Sequence, residues 1–440
     1  MYPFPVKTMS RDLLLKERVV IAFVGVNQPG YKTVANAYLR EAVKADSRLP
    51  EVWAQTIDFD VEQDTWWMLY QLLALNPVPD IISFSIYCWN AEQIFELSQL
   101  YAQIHPEVEL IAGGPEVGPR ACEVLGDNPQ FSAIIEGEGE KSVPSVVLSY
   151  ARGGAYFGIP GVAAHTEQGI RKVPAEPLTM LDTLASPYNE AHPPALDGAA
   201  YLETFRGCPH QCAYCFEAKG STRIRSFSWE RVAKDVERMA QTPGLRSFTF
   251  IDSVFNLTLA RLEKLAEILE PYAQRGISLH TIEVDIESID KHQAELLKRC
   301  GVRSVETGPQ TTNVRALKLC KRSFDKDAYL KGVAACKDEG IVVEADLIIG
   351  LPGDSVEDVL ASFEFAVHCG ADKVQMSTLH VLPGTPLWEQ SEDLGLVFDK
   401  RAPHEIVQTH DISFRELCQL EVFGVALSKL YNARLEGGTR

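Results

Sequence analysis

Short apolar runs alternate with helical patterns along most of this chain, and that alternation restricts its fold more than any other feature. Between residues 18 and 150 the strand-like runs are Val19–Val24, Val52–Ile57, Ile81–Ser85, Glu109–Ala112 and Ala133–Glu136. Helical patterns lie between them near Thr33–Lys44, Thr65–Leu75, Ala91–His105 and Pro119–Leu125, and a fifth follows at Lys141–Arg152. Fully apolar strands alternating with helices predict a parallel sheet covered on both faces. Five such units predict a doubly wound, flavodoxin- or Rossmann-like α/β domain over residues 1–150. Ligands of such sheets bind beyond the carboxyl ends of the strands.

Four of those ends are rich in glycine or polar residues. They read Gly25-Val-Asn-Gln-Pro-Gly30, Ser85-Ile-Tyr-Cys-Trp-Asn90, Gly113-Gly114-Pro115-Glu116 and Glu136-Gly-Glu-Gly-Glu140. Glycine lets a backbone approach a ligand closely. Taken singly, each segment reads as a tight βα turn; four on one sheet edge predict a large ligand. No G-x-G-x-x-G follows the first strand, which disfavours a dinucleotide.

Residues 151–198 read as a linker with a small hairpin, Val162–His165 and Ile170–Val173 around Thr166–Gly169. The alternation then resumes over residues 199–390. Strands are predicted at Tyr201–Phe205, Ser247–Asp252, Ser278–Glu283, Ser304–Thr307, Val342–Ile349 and Lys373–Leu379. Six successive βα units predict a partial (β/α)6 barrel, with its chemistry at the C-terminal ends of the strands. Residues 391–440 form a short C-terminal extension with a predicted helix near Phe414–Tyr431.

Directly after the first barrel strand comes Arg206-Gly-Cys208-Pro-His-Gln-Cys212-Ala-Tyr-Cys215-Phe216. A four-iron cluster normally takes four cysteine thiolates. Three leave one iron open to a molecule that is not protein, which points to a catalytic cluster rather than an electron carrier. A zinc site with His210 as fourth ligand is the alternative reading, although structural zinc usually uses paired C-x2-C or Cys/His sets. The other seven cysteines are scattered singly, as expected of free thiols in a reducing cytoplasm.

The formal net charge of −18 disfavours nucleic acid and anionic membrane as partners. No stretch has the run of apolar residues needed to span a membrane.

These motifs resemble the cobalamin-binding radical SAM class. The Cys loop carries Tyr214 at the aromatic position next to the adenine of S-adenosylmethionine (SAM), and Phe250-Ile-Asp252 ends the second strand where the family contacts the methionyl amine. Val305-Glu306-Thr-Gly308-Pro-Gln310, Ile349-Gly350-Leu-Pro-Gly353 and Val381-Leu382-Pro-Gly384 match the ends of the fourth, fifth and sixth strands. The resemblance implies a [4Fe–4S] cluster on Cys208, Cys212 and Cys215. It implies SAM contacts from Tyr214, Asp252, Glu306, Gln310, Arg322 and Leu382. Cobalamin contacts are expected from Ser83, Ser85, Tyr87, Gly113, Gly114, Glu136, Gly137 and Glu138. Many such domains ligate cobalt through the His of an Asp-x-His-x-x-Gly run, and the loop after the first strand here has none. Tyr87, Trp89 and Asn90 are the nearest residues for the lower face. Glu283 and Asp285 point to the barrel interior without an assigned role.

The implied activity is C-methylation of an unactivated carbon on a small-molecule or peptide substrate, fed by an external electron donor such as flavodoxin or ferredoxin. Two alternatives remain at this point: a cobalamin-dependent rearrangement or ring contraction without methyl transfer, and a non-catalytic cobalamin or Fe–S binding protein. An RNA methylthiotransferase would need three more cysteines in the first domain, which holds only Cys88 and Cys122.

Overall fold

The computed structural model describes residues 16–189, 198–217 and 223–437. The chain divides into two compact units, Met1–Leu196 and Asp197–Arg440. In the first, β1 (Arg18–Asn27), α1 (Val34–Ala45), β2 (Glu51–Asp60), α2 (Thr65–Leu73), β3 (Ile81–Ser85) and α3 (Ala91–Ile104) alternate as predicted. They continue into β4 (Glu109–Gly113), α4 (Ala121–Asp127), β5 (Phe131–Ile135) and α5 (Gly139–Ala151). The sheet order is β2-β1-β3-β4-β5, the flavodoxin-like order, with its switch point between β1 and β3. The linker hairpin, β6 (Val162–Thr166) and β7 (Gly169–Lys172), extends that sheet antiparallel to β5.

Period-2 alternation sorts β1 between two helical layers. Val19, Ile21 and Phe23 join Val43 of α1 and Val143, Val146 and Val147 of α5 in one core. On the opposite side, Phe84 and Phe95 meet Phe131 edge-on, with ring centroids 6.2 and 6.4 Å apart.

The second unit contains six parallel strands. Strand one is Ala199–Leu202, two is Ser247–Phe250, four is Ser304–Gln310, five is Val342–Ile349 and six is Lys373–Thr378. Strand three is two short pieces rather than the continuous Ser278–Glu283 expected. Ser278–Leu279 pairs with strand two, and Ile282–Glu283 pairs with strand four. The chain changes partner between them, so the ladder breaks where the wall turns. Strand one also ends earlier than expected, because the Thr204 N–H leaves the ladder for the Asp252 carboxylate, 2.8 Å away. No pairing joins strand six to strand one among the described residues, which leaves the wall open.

The intervening helices carry their own start signals. The Ser228 side chain caps α6 (Trp229–Ala240), Thr258 caps α7 (Leu259–Ala273) and Asp290 caps α8 (Lys291–Arg299). The short α9 (Val314–Leu319) and then α10 (Lys326–Asp338) follow, and Ser355 with Asp358 forms a capping box on α11 (Val356–His368). After the four-residue α12 (Pro386–Glu389), the last helix, α13 (Phe414–Gly437), packs on strand six. No helix among the described residues is long and apolar enough to cross a membrane.

Gly114 occupies a tight turn position in the first unit. Its φ is +116°, and a Cβ there would collide with the Ile86 carbonyl oxygen. Gly114→Ala is expected to destabilise the first unit by about 1–3 kcal/mol. Denaturant unfolding followed by circular dichroism measures this, and an unchanged midpoint would contradict it.

Candidate functional site

The Cys208–Cys215 loop leaves strand one of the second unit through a buried polar clamp. The Asp252 carboxylate accepts the N–H of Thr204 at 2.8 Å and of Phe205 at 3.3 Å, and also takes the Thr204 hydroxyl. Arg261 of α7 pairs with it at 2.7 Å, with side-chain exposures of 7% and 0%. The guanidinium also lies 4.7 Å over the Phe205 ring and 5.5 Å from that of Trp229. Asp252 was expected to contact the methionyl amine of SAM, and this geometry corrects that expectation. Its carboxylate is fully enclosed, and its oxygens are consumed by backbone, hydroxyl and guanidinium donors.

The loop places Cys208 and Cys212 in buried positions and Cys215 in a half-buried one. Cys208 packs on Val254, and the Ser253 hydroxyl donates to the Gly207 carbonyl at 2.9 Å. The Cys215 sulfur accepts the Glu217 N–H at 3.4 Å, and Arg322 Nη1 donates to the Cys212 sulfur at 3.4 Å. Hydrogen bonds to sulfur are what a cluster thiolate receives from its protein. Burial pushes the Cys208 thiol up and that of Cys215 up to about 12, so iron would displace protons on binding. Among the described residues no three His, Cys, Asp or Glu side chains converge as a single metal ion requires. A cubane asks less of them, since each thiolate binds its own iron. The donor chemistry of the loop fits a [4Fe–4S] cluster.

Several predicted residues gather near the loop. Arg322 reaches Cys212 on one side and donates to the Gly308 carbonyl on the other. The Tyr214 hydroxyl is buried beside Cys212, and desolvation pushes its pKa up. Gln310 ends strand four with φ at +63°, a conformation uncommon outside glycine. Its amide lies over Gly308, where any Cβ would strike it. The Leu382 carbonyl is closed into a turn by the Thr385 hydroxyl at 2.7 Å.

Glu306, Gln310 and Arg322 line a cavity of about 510 Å³. His210, Glu283, Asp285, Glu287, Tyr329 and Asp346 share it. His210 and Asp285 stand 3.9 Å apart at its rim. Burial, reinforced by the charge of Glu306, pushes Glu283 up to about 7, and the same two causes raise Asp346 well above the carboxylate range. Glu283 opens onto the cavity while Asp346 is half-buried, so solvent screening weakens the effect more at Glu283. Tyr329 and Asp346 were not among the residues singled out from the chain alone. Both sit at unremarkable positions of a helix and a strand, and only the packing of the two elements unites them.

In the first unit, Tyr87, Gly113, Gly114, Glu136, Gly137 and Glu138 all lie at the carboxyl edge of the sheet. Tyr87 stacks on Trp89 with centroids 4.4 Å apart. Glu136 pairs with Lys172 at 2.8 Å, and Glu138 accepts the Leu178 N–H at 3.2 Å. Ser83 and Ser85 depart from the expected cobalamin contacts. Both are buried in β3 on the face that α1 covers, and the Ser85 hydroxyl donates to Asn36 at 2.6 Å. Side chains two apart on a strand share a face, so both hydroxyls point into the helix layer rather than over the edge. The loop after β1 is tied to the end of β2: Asp58 accepts the Thr33 N–H at 2.9 Å, and Asp60 accepts the Gly30 N–H at 3.2 Å.

The chain is an α/β protein: a flavodoxin-like unit is followed by a second unit of βα repeats with three cysteines after its first strand. Residues 202–366 match the radical SAM superfamily. An uncharacterized methyltransferase of Pyrococcus horikoshii is 24% identical over 319 residues, across 71% of this chain and 69% of that protein. The cobalamin-dependent radical SAM methyltransferase TokK of Streptomyces tokunonensis is 24% identical over 416 residues, and the match spans 88% of this chain but 59% of TokK. The radical SAM methyltransferase TsrM of Kitasatospora setae, solved with tryptophan and a SAM analogue, shares the fold. Its TM-score is 0.70 at 19% identity, over 87% of this chain and 79% of that one. Over residues 202–366 the chain is similar to the radical SAM superfamily, and over most of its length to relatives that include a cobalamin-dependent member of it.

The Asp252–Arg261 pair yields a prediction. Asp252→Ala leaves a buried guanidinium without its partner and is expected to cost about 3–5 kcal/mol. Chemical denaturation monitored by tryptophan fluorescence measures it. A loss below about 1 kcal/mol would show that the clamp carries little of the fold.

Proposed function

We propose that this protein is a cobalamin-dependent radical SAM methyltransferase that methylates an unactivated carbon of a small molecule. The observation that carries the reading is the loop of three thiols, Cys208, Cys212 and Cys215, with hydrogen bonds already aimed at two of the sulfurs. When bound, the cluster supplies the electron that cleaves SAM, and cobalamin carries the methyl group. The names of the Pyrococcus and Streptomyces relatives support methyl transfer, and the TsrM structure, holding tryptophan, supports a small-molecule substrate.

The chain's own residues divide the remaining work. Cys208, Cys212 and Cys215 hold the cluster. Glu306 and Gln310 face SAM from the end of strand four, Tyr214 and the Leu382 backbone flank its adenine, and Arg322 suits its carboxylate, since a guanidinium binds carboxylates bidentately. Arg322 is already oriented by Gly308, so little rotamer freedom is lost on binding. In the first unit, Tyr87, Gly113, Gly114, Glu136, Gly137 and Glu138 take the cobalamin edge, and Gly114 permits close approach there. A flavodoxin or ferredoxin in the cytoplasm supplies electrons.

Anaerobically reconstituted protein, reduced and given methyl-labelled SAM, is expected to release 5′-deoxyadenosine and S-adenosylhomocysteine. With a substrate, the label enters the product; an unlabelled product would replace methyl transfer by rearrangement. Replacing Cys208, Cys212 and Cys215 together by Ala is expected to abolish the cluster absorbance and SAM cleavage while cobalamin uptake persists. A cluster retained in that variant would place its ligands elsewhere.

A further inference from the structure

The last helix, α13, is apolar on both sides. Its inner side lies on strands five and six, with Leu417 and Leu420 buried. The contact is close: a Cβ added at Gly424 would sit 3.2 Å from Ile349 and 3.3 Å from Met376. The outer side meets solvent, where α8 by contrast presents Lys291, His292, Glu295, Lys298 and Arg299. On α13, Phe414 is 57% exposed, Val422 72%, Phe423 49%, Val425 45% and Leu430 73%. Phe414, Cys418, Val422, Ala426 and Leu430 recur at every fourth residue, which places them in one row along the helix. Phe414, Cys418, Val422 and Phe423 line a shallow groove of about 630 Å³. Isolated exposed apolar residues are ordinary, whereas a continuous row of them on one helix marks an interaction surface.

The charges around the row identify its occupant. Glu421 and Lys429 are exposed, and neither has an opposite charge three or four residues away on its own helix. They lie four residues to either side of Val425. A second α13 laid antiparallel across this one, on a two-fold axis near Val425, brings each Glu421 opposite the Lys429 of the other copy. The same alignment sets Glu416 opposite Arg434. A parallel pairing would instead oppose Glu421 to Glu421 and Lys429 to Lys429, which is unfavourable. The row is thus complementary to itself in one orientation, as a two-fold interface requires. Each of the five exposed side chains bares on the order of 100 Å², so two copies together cover roughly 1,000 Å², the lower bound for a specific interface. A membrane fits less well, because the formal net charge is −18 and Glu421 borders the apolar row.

We infer that the outer face of α13 is a homodimer interface, in which the α13 helices of two copies pack antiparallel through Val422 and Val425. The reciprocal Glu421–Lys429 pairs fix the orientation, and the apolar row supplies the attraction. Cys418 lies within the buried strip and is shielded by the second copy.

Sedimentation velocity on the full-length protein, reconstituted anaerobically with its cluster and kept reduced, tests this. A species of twice the chain mass is expected at micromolar concentration. Val422→Glu puts two unpaired carboxylates into the interface and is expected to weaken the dimer about hundredfold. Its circular dichroism is expected to stay unchanged, because residue 422 is exposed within one chain. Glu421→Lys is expected to weaken the dimer about tenfold, and Glu421→Lys combined with Lys429→Glu to restore it. Alkylation of Cys418, mapped by mass spectrometry, is expected to slow as protein concentration rises, while that of the exposed Cys122 stays constant. A monomer at every concentration overturns the proposal, and a monomer that pellets with phosphatidylcholine vesicles assigns the face to a membrane instead. A dimer indifferent to Val422→Glu overturns it too, since the interface then lies elsewhere. If the double charge exchange is as weak as the single one, the antiparallel arrangement fails. None of these readouts needs turnover, so the outcome is independent of the methyltransferase reading.

Discussion

The buried pair of Asp252 and Arg261 is the constraint on which the cysteine loop depends. One carboxylate holds the backbone of Thr204 and Phe205 at the exit of strand one, and α7 supplies the counter-charge. An ion pair this enclosed gains little over an apolar contact of the same size, but losing half of it is expensive. Its effect is positional. It pulls the chain out of the sheet just before Cys208, so the thiols begin their turn from a fixed backbone point. Arg322 and the Glu217 N–H then meet two of the sulfurs from opposite sides of the loop in sequence.

Outward-facing apolar residues on strands four and five bury against the helices, and their inward neighbours stay accessible. An unclosed wall leaves that inner face without a packed core. Polar side chains are tolerated there because water or a ligand can satisfy them, and this is what makes the cavity a site rather than a defect. The first unit reaches a ligand edge by another route. Its strands are buried on both faces, so chemistry is confined to the loops at their carboxyl ends.

Much of this was legible in the chain itself. Strand five was predicted as Val342–Ile349 and forms with those bounds, because it has strong local periodicity and clear stops. The thiol loop was legible because its ligands are close in sequence. Strand three was not, since its two halves answer to different neighbours. Ser83 and Ser85 looked like edge residues from their position, yet the helix that covers them lies some forty residues or more away in the chain.

The sequence by itself determined the order of strands and helices, the parallel sheets and the three-cysteine loop, because each is written in short-range periodicity or spacing. Tertiary structure alone decided which polar groups face one another. It turned Asp252 from a cofactor contact into a buried clamp, and it brought Glu283, Asp346 and Tyr329 to one cavity. Burial and hydrogen-bond satisfaction depend on partners distant in the chain, and no local pattern encodes them.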